Sequence, residues 1–513
     1  MNINEAKEEV KNAVRAYLEK DEAGQYEIPI ERQRPILLMG PPGIGKTAIM
    51  EQIAHELSIN LVSYTITHHT RQSAIGLPKI SEKKYGGKTY SVTEYTMSEI
   101  IGAVYDQIEK SGIQEGILFL DEINCVSETL APTMLQFLQY KTFGSHRIPD
   151  GFIIVTAGNP PQYNKSVRDF DIVTLDRVRQ INIEEDFDAW KDYAYKAGVH
   201  GSIMAYLEIK KDNFYSIKTD VDGRTFVTAR GWEDLSRVIK VHEKLGMPIN
   251  ENLTAQYLQN KEIARDFATY YELYQRYNEL YKIPDILEGR FPEDKRAIRE
   301  GSFDEKLSII GLLTDKLMDE FRSYSRQQAV QKILFDTIKE FGRFSETEET
   351  ERVDSIQWFK DRMGIMEYRL QEEKEAGLLD REEERARATA VNSLKDCINY
   401  MATAAGAEPD LKGAFILAKN WFTKKENIRQ ENIKTTGRHL TNSFEFLEQT
   451  FGDSESLSGS QEMVIFITEL SNAYHSLKFV RDTGNDAYYK YNKLLLLNDR
   501  KQELMELAKE LVF

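Results

Sequence analysis

An α/β fold built on a parallel sheet, followed by a long helical region, is the class this sequence predicts, and three observations carry it. Short apolar runs, Pro35–Met39, Leu61–Ile66, Ile117–Leu120, Phe152–Thr156 and Gln180–Ile183, recur between helical stretches. That alternation is expected when crossover helices cover a parallel sheet. The first run leads straight into Gly40-Pro41-Pro42-Gly43-Ile44-Gly45-Lys46-Thr47, and then into a helical pattern of Ile49, Met50, Ile53, Ala54 and Leu57. Beyond Glu288-Gly289-Arg290, faces such as Val330, Ile333, Leu334, Ile338 and Phe341, and Val391, Leu394, Ile398 and Met401, repeat at helical spacing.

In chain order, residues 1–34 predict a charged amphipathic helix, with Val10, Val14, Tyr17 and Leu18 on one face, and a link into the first strand. Residues 35–184 predict the α/β core. Residues 185–290, rich in Trp and Tyr (Trp190, Tyr193, Tyr206, Trp232, Tyr270, Tyr271, Tyr274, Tyr277), predict a helical lid, and 291–513 a helical C-terminal domain. A chain of 513 residues exceeds one ordinary core, which agrees with several domains. Asp453–Ser460 predicts a loop between helices, and the acidic runs at 346–351 and 372–384 predict solvated helix faces.

The formal charge of -16 and pI near 5.2 argue against nonspecific adhesion to nucleic acid or anionic membrane, and point to protein partners. Two cysteines, Cys125 and Cys397, offer no zinc spacing and fit a reducing compartment. The N-terminus is charged and no apolar run reaches membrane-spanning length. The expected location is the cytoplasm. His68-His69 lacks a third ligand nearby in sequence, so a metal site is not expected there.

Gly40 to Ala48 is a phosphate-binding loop. Gly40, Gly43 and Gly45 allow the backbone to curl so that amides point at nucleotide phosphates, with Pro41, Pro42, Ile44 and Ala48 completing the loop. Lys46 is expected to neutralise the β and γ phosphates, and Thr47 to offer a hydroxyl to Mg²⁺. The run Ile117-Leu-Phe-Leu-Asp121-Glu122 ends a strand in two carboxylates, at the sheet edge where ligands gather. Asp121 is expected to hold Mg²⁺, and Glu122 to orient and deprotonate the water that attacks the γ-phosphate. Phe152-Ile-Ile-Val-Thr156 runs through Ala-Gly into Asn159, an amide suited to fixing that water or, alternatively, to capping the turn before Pro160-Pro161. Arg177 is expected to project as an arginine finger onto a neighbouring subunit's nucleotide, with Arg179 as a substitute and a local pair with Asp171 or Asp176 as the alternative. Arg230, at the start of a helix led by Thr228, is placed to reach the γ-phosphate.

Taken in order, these elements resemble the MoxR-type AAA+ ATPases, in the clade that carries an insert in its second helix. The resemblance spans roughly residues 30–290. It implies an AAA+ P-loop core in which Lys46 and Thr47 are Walker A, Asp121 and Glu122 Walker B, Asn159 sensor 1, Arg177 the finger and Arg230 sensor 2. It also implies ATP and Mg²⁺ as cofactors and a ring, usually a hexamer. Asp176-Arg177-Val178-Arg179 departs from the family's frequent Asp-Arg-Phe.

Ile80 to Val92 predicts a hairpin turning at Gly86-Gly87. Lys83, Lys84, Tyr85 and Lys88 sit at its tip and, as in the resembling proteins, would face a pore and touch a client. Ordinary solubilising lysines are the alternative. Thr142 to Ile148 predicts a second hairpin, with His146 and Arg147 exposed.

The leading expectation is an ATP-hydrolysing, chaperone-like remodelling ATPase acting on a protein client, with a separate von Willebrand factor A partner. Asp453-Ser-Glu-Ser-Leu457 lacks the serines that such a domain needs, so the partner is expected on another chain. The alternatives are a nucleic-acid motor or restriction-type nucleotidase, and a nucleotide-gated assembly scaffold. No winged-helix pattern, zinc module or strongly basic domain supports the former.

Overall fold

The computed structural model describes residues 1–68, 74, 76–163, 167, 170, 172–220, 223–346, 354–405, 410–452 and 460–493. Contacts divide the chain into two units, Met1–Ala189 with Tyr368–Glu384, and Trp190–Glu367 with Arg385–Phe513. Residues 190–290, anticipated as a lid, therefore share a contact unit with most of the helical region that follows. The loop anticipated at Asp453–Ser460 falls, except for Ser460, outside the described residues, as do His69, Asp171 and most of the acidic run at 346–351.

The first unit opens with α1 (Ile3–Leu18), where Asn2 and Glu5 form a reciprocal capping box. Its buried stripe is Ala6, Val10, Ala13, Val14 and Tyr17. Strand β1 (Ile36–Met39) leads through the glycine-rich loop into α2 (Lys46–Leu57), and β2 (Asn60–Thr65) follows. The antiparallel pair β3 (Pro78–Tyr85) and β4 (Lys88–Tyr95) stands between β2 and α3 (Glu99–Ser111). Then come β5 (Gly116–Asp121), α4 (Ala131–Tyr140), the short hairpin β6 (Thr142–Phe143) and β7 (His146–Arg147), β8 (Phe152–Gly158), a one-turn helix (Ile172–Leu175) and β9 (Arg179–Asn182).

Five strands form one sheet in the order β2-β5-β8-β1-β9, every pair parallel. Its central strands are apolar without alternation because both faces are covered, and β8 is buried along its whole length. Leu37, Leu118, Leu120, Ile154, Phe137 and Phe152 belong to the core beneath the strands. The register sets Leu120 beside Thr156 and Met39 beside Gly158, so three adjacent strands end at one level. Everything chemical in this unit follows from that shared edge.

The expected insert hairpin is present. Tyr85 pairs with Lys88 across a two-residue turn, and Gly86 and Gly87 both take positive φ, 55° and 82°. That is the backbone twist a tight hairpin requires. At the second hairpin the structure corrects the reading of His146. Its ring is half-buried, with Nε2 at 2.9 Å from the Tyr95 carbonyl, while Arg147 is exposed as expected.

In the chain that leads into and through the second unit, α5 (Phe187–Ala197) and α6 (Gly201–Ile209) are followed by an unexpected hairpin, β10 (Ser216–Asp220) with β11 (Gly223–Val227). The reading of 185–290 as a helical lid has no place for this hairpin, in which Ile217, Thr219, Thr225 and Val227 supply the β-branched residues that favour strands. Helices α7 (Ala229–Leu245), α8 (Glu251–Tyr257) and α9 (Lys261–Tyr281) follow. Tyr206, Trp232 and Phe267 pack at 5.3 to 5.7 Å between ring centroids, and the Trp232 indole donates to the Phe214 carbonyl at 3.2 Å.

The remainder is helical, with α10 (Phe303–Phe344), α11 (Ser355–Glu375), α12 (Arg381–Ala405), α13 (Leu411–Phe451), α14 (Gln461–Asn472) and α15 (Tyr474–Thr483). Phe341, Phe359, Leu394, Met401, Ala418 and Trp421 share one core among α10 to α13. Among the described residues no helix is long and apolar enough to cross a membrane.

Candidate nucleotide site

The loop after β1 curls as the glycines predict. Gly43 and Gly45 take φ of 74° and 99°, a region that side chains with a Cβ rarely enter. Gly40 is required for a second reason, because a Cβ there would lie 2.8 Å from the Ile183 carbonyl oxygen. Gly45 caps α2, whose first turn carries Lys46 and Thr47.

The Lys46 side chain turns back into the loop. Its ammonium donates to the carbonyls of Gly40 and Pro41, both at 2.8 Å, and to Oδ1 of Asn159 at 3.0 Å. Only 8% of the residue is exposed. One cation, two main-chain carbonyls and a side-chain amide from a strand 113 residues later thus meet at one point. Thr47 Oγ1 lies 3.4 Å from Asp121 Oδ2, which brings a hydroxyl and a carboxylate together at the end of β5.

Asp121 and Glu122 are set apart by the backbone. Asp121 Oδ1 accepts the Glu122 amide at 2.9 Å, and Glu122 itself takes φ of 58°. This left-handed turn, uncommon for a residue with a side chain, ends the strand between the two carboxylates. Strain of this kind clusters at functional sites. Burial, reinforced by the charges of Glu122 and Asp121, pushes the nearby Cys125 thiol up, which keeps it protonated and inert.

A residue the sequence reading passed over, Asn124, supports the arrangement. Its Nδ2 donates to the Asn159 carbonyl at 2.8 Å, while its Oδ1 is buried without a hydrogen-bond partner. A Cβ on Gly158 would lie 2.7 Å from that oxygen, so the glycine makes room for the amide. The signal in the sequence was a polar residue in the turn Asp121-Glu122-Ile123-Asn124, close behind an apolar strand.

The remaining expected residues fall elsewhere. Arg177 is exposed in the turn before β9, where its amide donates to the Thr174 carbonyl at 3.1 Å, and its side chain makes no hydrogen bond or ion pair among the described residues, Asp176 included. Its proposed substitute, Arg179, is paired with the Glu9 carboxylate of α1. Arg230 belongs to the second unit, exposed in the first turn of α7 behind the cap that Thr228 makes to the Gly231 amide at 3.3 Å. Lys83, Lys84, Tyr85 and Lys88 are exposed on the β3–β4 hairpin, and Lys83 pairs with Glu94 across the strands.

The groups at the sheet edge suit a triphosphate and a hard divalent cation. The loop offers curled amides and a buried ammonium, and Thr47 with Asp121 offers oxygen donors.

A family comparison agrees with this chemistry. Residues 36–174 match the family model described as "ATPase family associated with various cellular activities (AAA)". The chain is 24% identical over 235 residues to the replication factor C large subunit of Methanopyrus kandleri, covering 43% of each protein. It is 29% identical over 128 residues to Lon protease 2 of Borreliella burgdorferi, covering 25% of this chain and 13% of that one. It thus spans less than half the length of either relative. A crystal structure from Cytophaga hutchinsonii, described as an ATPase, aligns with a TM-score of 0.22 at 16% identity, over 35% of this chain and 46% of that one. The curled loop, the strand-end carboxylates and the family match converge on the same stretch, and the first unit of this protein carries an AAA ATPase domain.

Proposed function

We propose that this protein is a Mg²⁺-dependent ATPase of the MoxR type that assembles into a ring, hexameric as in that family, and remodels a protein client. The observation that carries the reading is the convergence of Lys46, Thr47, Asp121, Glu122 and Asn159 at the carboxyl ends of three adjacent parallel strands. When ATP enters, its β and γ phosphate oxygens replace the Gly40 and Pro41 carbonyls and Asn159 Oδ1 as acceptors for the Lys46 ammonium. Thr47 and Asp121 would hold the cation, which would supply positive charge against the phosphate oxygens. Glu122 takes the proton of the attacking water, and the Asn159 amide, released from Lys46, orients that water. Arg177, exposed and without a pair among the described residues, is available to a neighbouring subunit's γ-phosphate. Arg230 is proposed as sensor 2.

The MoxR assignment is supported by the position of the β3–β4 hairpin, between β2 and the helix that precedes β5. Lys83, Lys84, Tyr85 and Lys88 on it are proposed to touch the client, and a separate von Willebrand factor A protein is the proposed partner. We place the protein in the cytoplasm. A nucleic-acid motor is the second reading, favoured by the same lysines and by the likeness to a replication factor C subunit.

The test uses three variants. Lys46→Ala is expected to abolish ATP binding, whereas Glu122→Gln retains ATP, loses about 10²–10⁴-fold in turnover and stabilises the assembled ring on a sizing column. Failure of the folded wild-type chain to take up ATP with magnesium in calorimetry would overturn the reading. Mixing Arg177→Ala with Lys46→Ala protein should restore some turnover if the arginine acts in trans. Material captured with Glu122→Gln separates protein clients from nucleic acid.

A further inference from the structure

The second unit holds a cavity of about 640 Å³ between α7, α9 and α10, remote in sequence from the phosphate-binding loop. Two of its polar atoms lack partners. Tyr274 Oη makes no hydrogen bond although the residue is buried to within 2% exposure, and Asn278 Oδ1 is likewise buried and unmatched. Leaving a buried polar atom unpaired costs about 1–3 kcal/mol, so two of them on one wall call for an explanation.

Two half-buried charges on the lining, Lys240 and Asp315, have no ion pair among the described residues. Among the described residues the Lys240 ammonium donates to a single acceptor, the Gly198 carbonyl, at 2.5 Å, and burial lowers its pKa from the usual lysine value. The half-buried Asp315 carboxylate accepts no hydrogen bond among the described residues. Glu243, by contrast, is used up. His200 Nε2 lies 3.1 Å from both of its oxygens, and Tyr271 and Gln275 donate to it at 2.8 and 2.7 Å. That network fixes one wall and leaves the other open to a ligand.

Balance of charge narrows the ligand class. Three lysines and three carboxylates line the space, but Glu243 is held by His200 and Asp319 by Arg322, and Lys244 and Lys316 are exposed; the half-buried charges without an ion pair among the described residues are Lys240 and Asp315, one of each sign, which disfavours a polyanion such as a nucleotide and a polycation such as a polyamine. A molecule with one ammonium and one carboxylate matches what is unmatched. From this arrangement we infer that the cavity binds a free α-amino acid, its ammonium held by Asp315, Asn278 Oδ1 and Tyr274 Oη and its carboxylate by Lys240. The volume leaves room for a long side chain.

The test is calorimetry and thermal shift on the full chain with each of the common L-amino acids in turn. For the best of them, the corresponding amine and the corresponding carboxylic acid are run beside it. At least one amino acid is expected to bind in a single site and raise the melting temperature, with either truncated analogue weaker by about tenfold or more. Asp315→Asn and Lys240→Met should each cost about tenfold or more in affinity, Tyr274→Phe a smaller factor, and Lys46→Ala nothing. Should Lys240→Met fail to fold by circular dichroism, Asp315→Asn and Tyr274→Phe decide. Absence of binding by every amino acid, equal binding of the amine or the acid, or full affinity in the folded cavity variants overturns the inference. Because Lys46→Ala is expected to bind the amino acid normally, failure here is distinguishable from failure of the ATPase reading.

Discussion

Asn124 shows how a single side chain positions another. It does not reach the phosphate-binding loop, yet its amide fixes the Asn159 carbonyl, and Asn159 in turn meets Lys46. Asn124→Ala should leave ATP affinity nearly unchanged and reduce turnover by about 10–100-fold, since a small misplacement of a group near the reacting atoms is costly. A split between binding and turnover, measured by calorimetry and steady-state hydrolysis, identifies positioning; equal loss of both would mean that the loop itself has collapsed. Gly158→Ala is expected to act on the same contact from the other side. Its added methyl would strike the Asn124 amide, costing about 1–3 kcal/mol in denaturant unfolding.

At the scale of elements, the β3–β4 hairpin is the most exposed regular structure of the first unit. Ile80 is 76% exposed and Tyr85 56%, on a ladder that has no third strand among the described residues. A two-stranded ribbon is marginal on its own, so its turn matters. Gly87→Ala places a side chain at φ of 82° and should weaken the hairpin by about 1–2 kcal/mol. Hydrogen exchange of the amides in 78–95 is expected to accelerate about tenfold or more, with basal ATP turnover unchanged. A loss of basal turnover would tie the hairpin to the nucleotide site rather than to a client. The β10–β11 hairpin illustrates the opposite problem, because its short strands lie inside an aromatic, largely helical stretch whose composition masks a period of two.

At the scale of the whole molecule, the chain leaves its first unit after Ala189 and contributes Tyr368–Glu384 to it again. The Gln107 amide donates to the Ala376 carbonyl at 2.6 Å, and His55 Nε2 lies 3.1 Å from Glu383. The N-terminal segment is tied in through a buried cation. Lys141 donates to Gln33 Oε1 at 3.0 Å and to the Phe152 carbonyl at 2.9 Å, and burial lowers its pKa from 10.5 to about 8. Between those two values the unfolded chain holds this proton and the folded chain does not. Stability contributed by this group therefore rises as pH increases through that window, and the penalty for burying the charge is fully present below it. The difference is on the order of 1–3 kcal/mol. Comparing urea unfolding of wild type and Lys141→Met across the window checks the sign: the variant should lack the upward slope.

The nature of the core was determined by local chemistry in the sequence. Glycines that permit positive φ, apolar runs of strand length and a lysine-threonine pair opening a helix specify the loop and the parallel sheet whatever the rest of the chain does. The hairpin turn at Gly86-Gly87 was legible for the same reason. Only the tertiary structure decided which side chains meet. The order β2-β5-β8-β1-β9 brings Lys46, Asp121 and Asn159 to one edge, makes Asn124 a support and pairs Arg179 with Glu9 while leaving Arg177 exposed. In the second unit, the packing of α7, α9 and α10, whose sequences show only amphipathic stripes, forms a polar cavity. Spacing along a chain encodes local conformation, whereas contacts between distant residues depend on register and strand order, which no local pattern specifies.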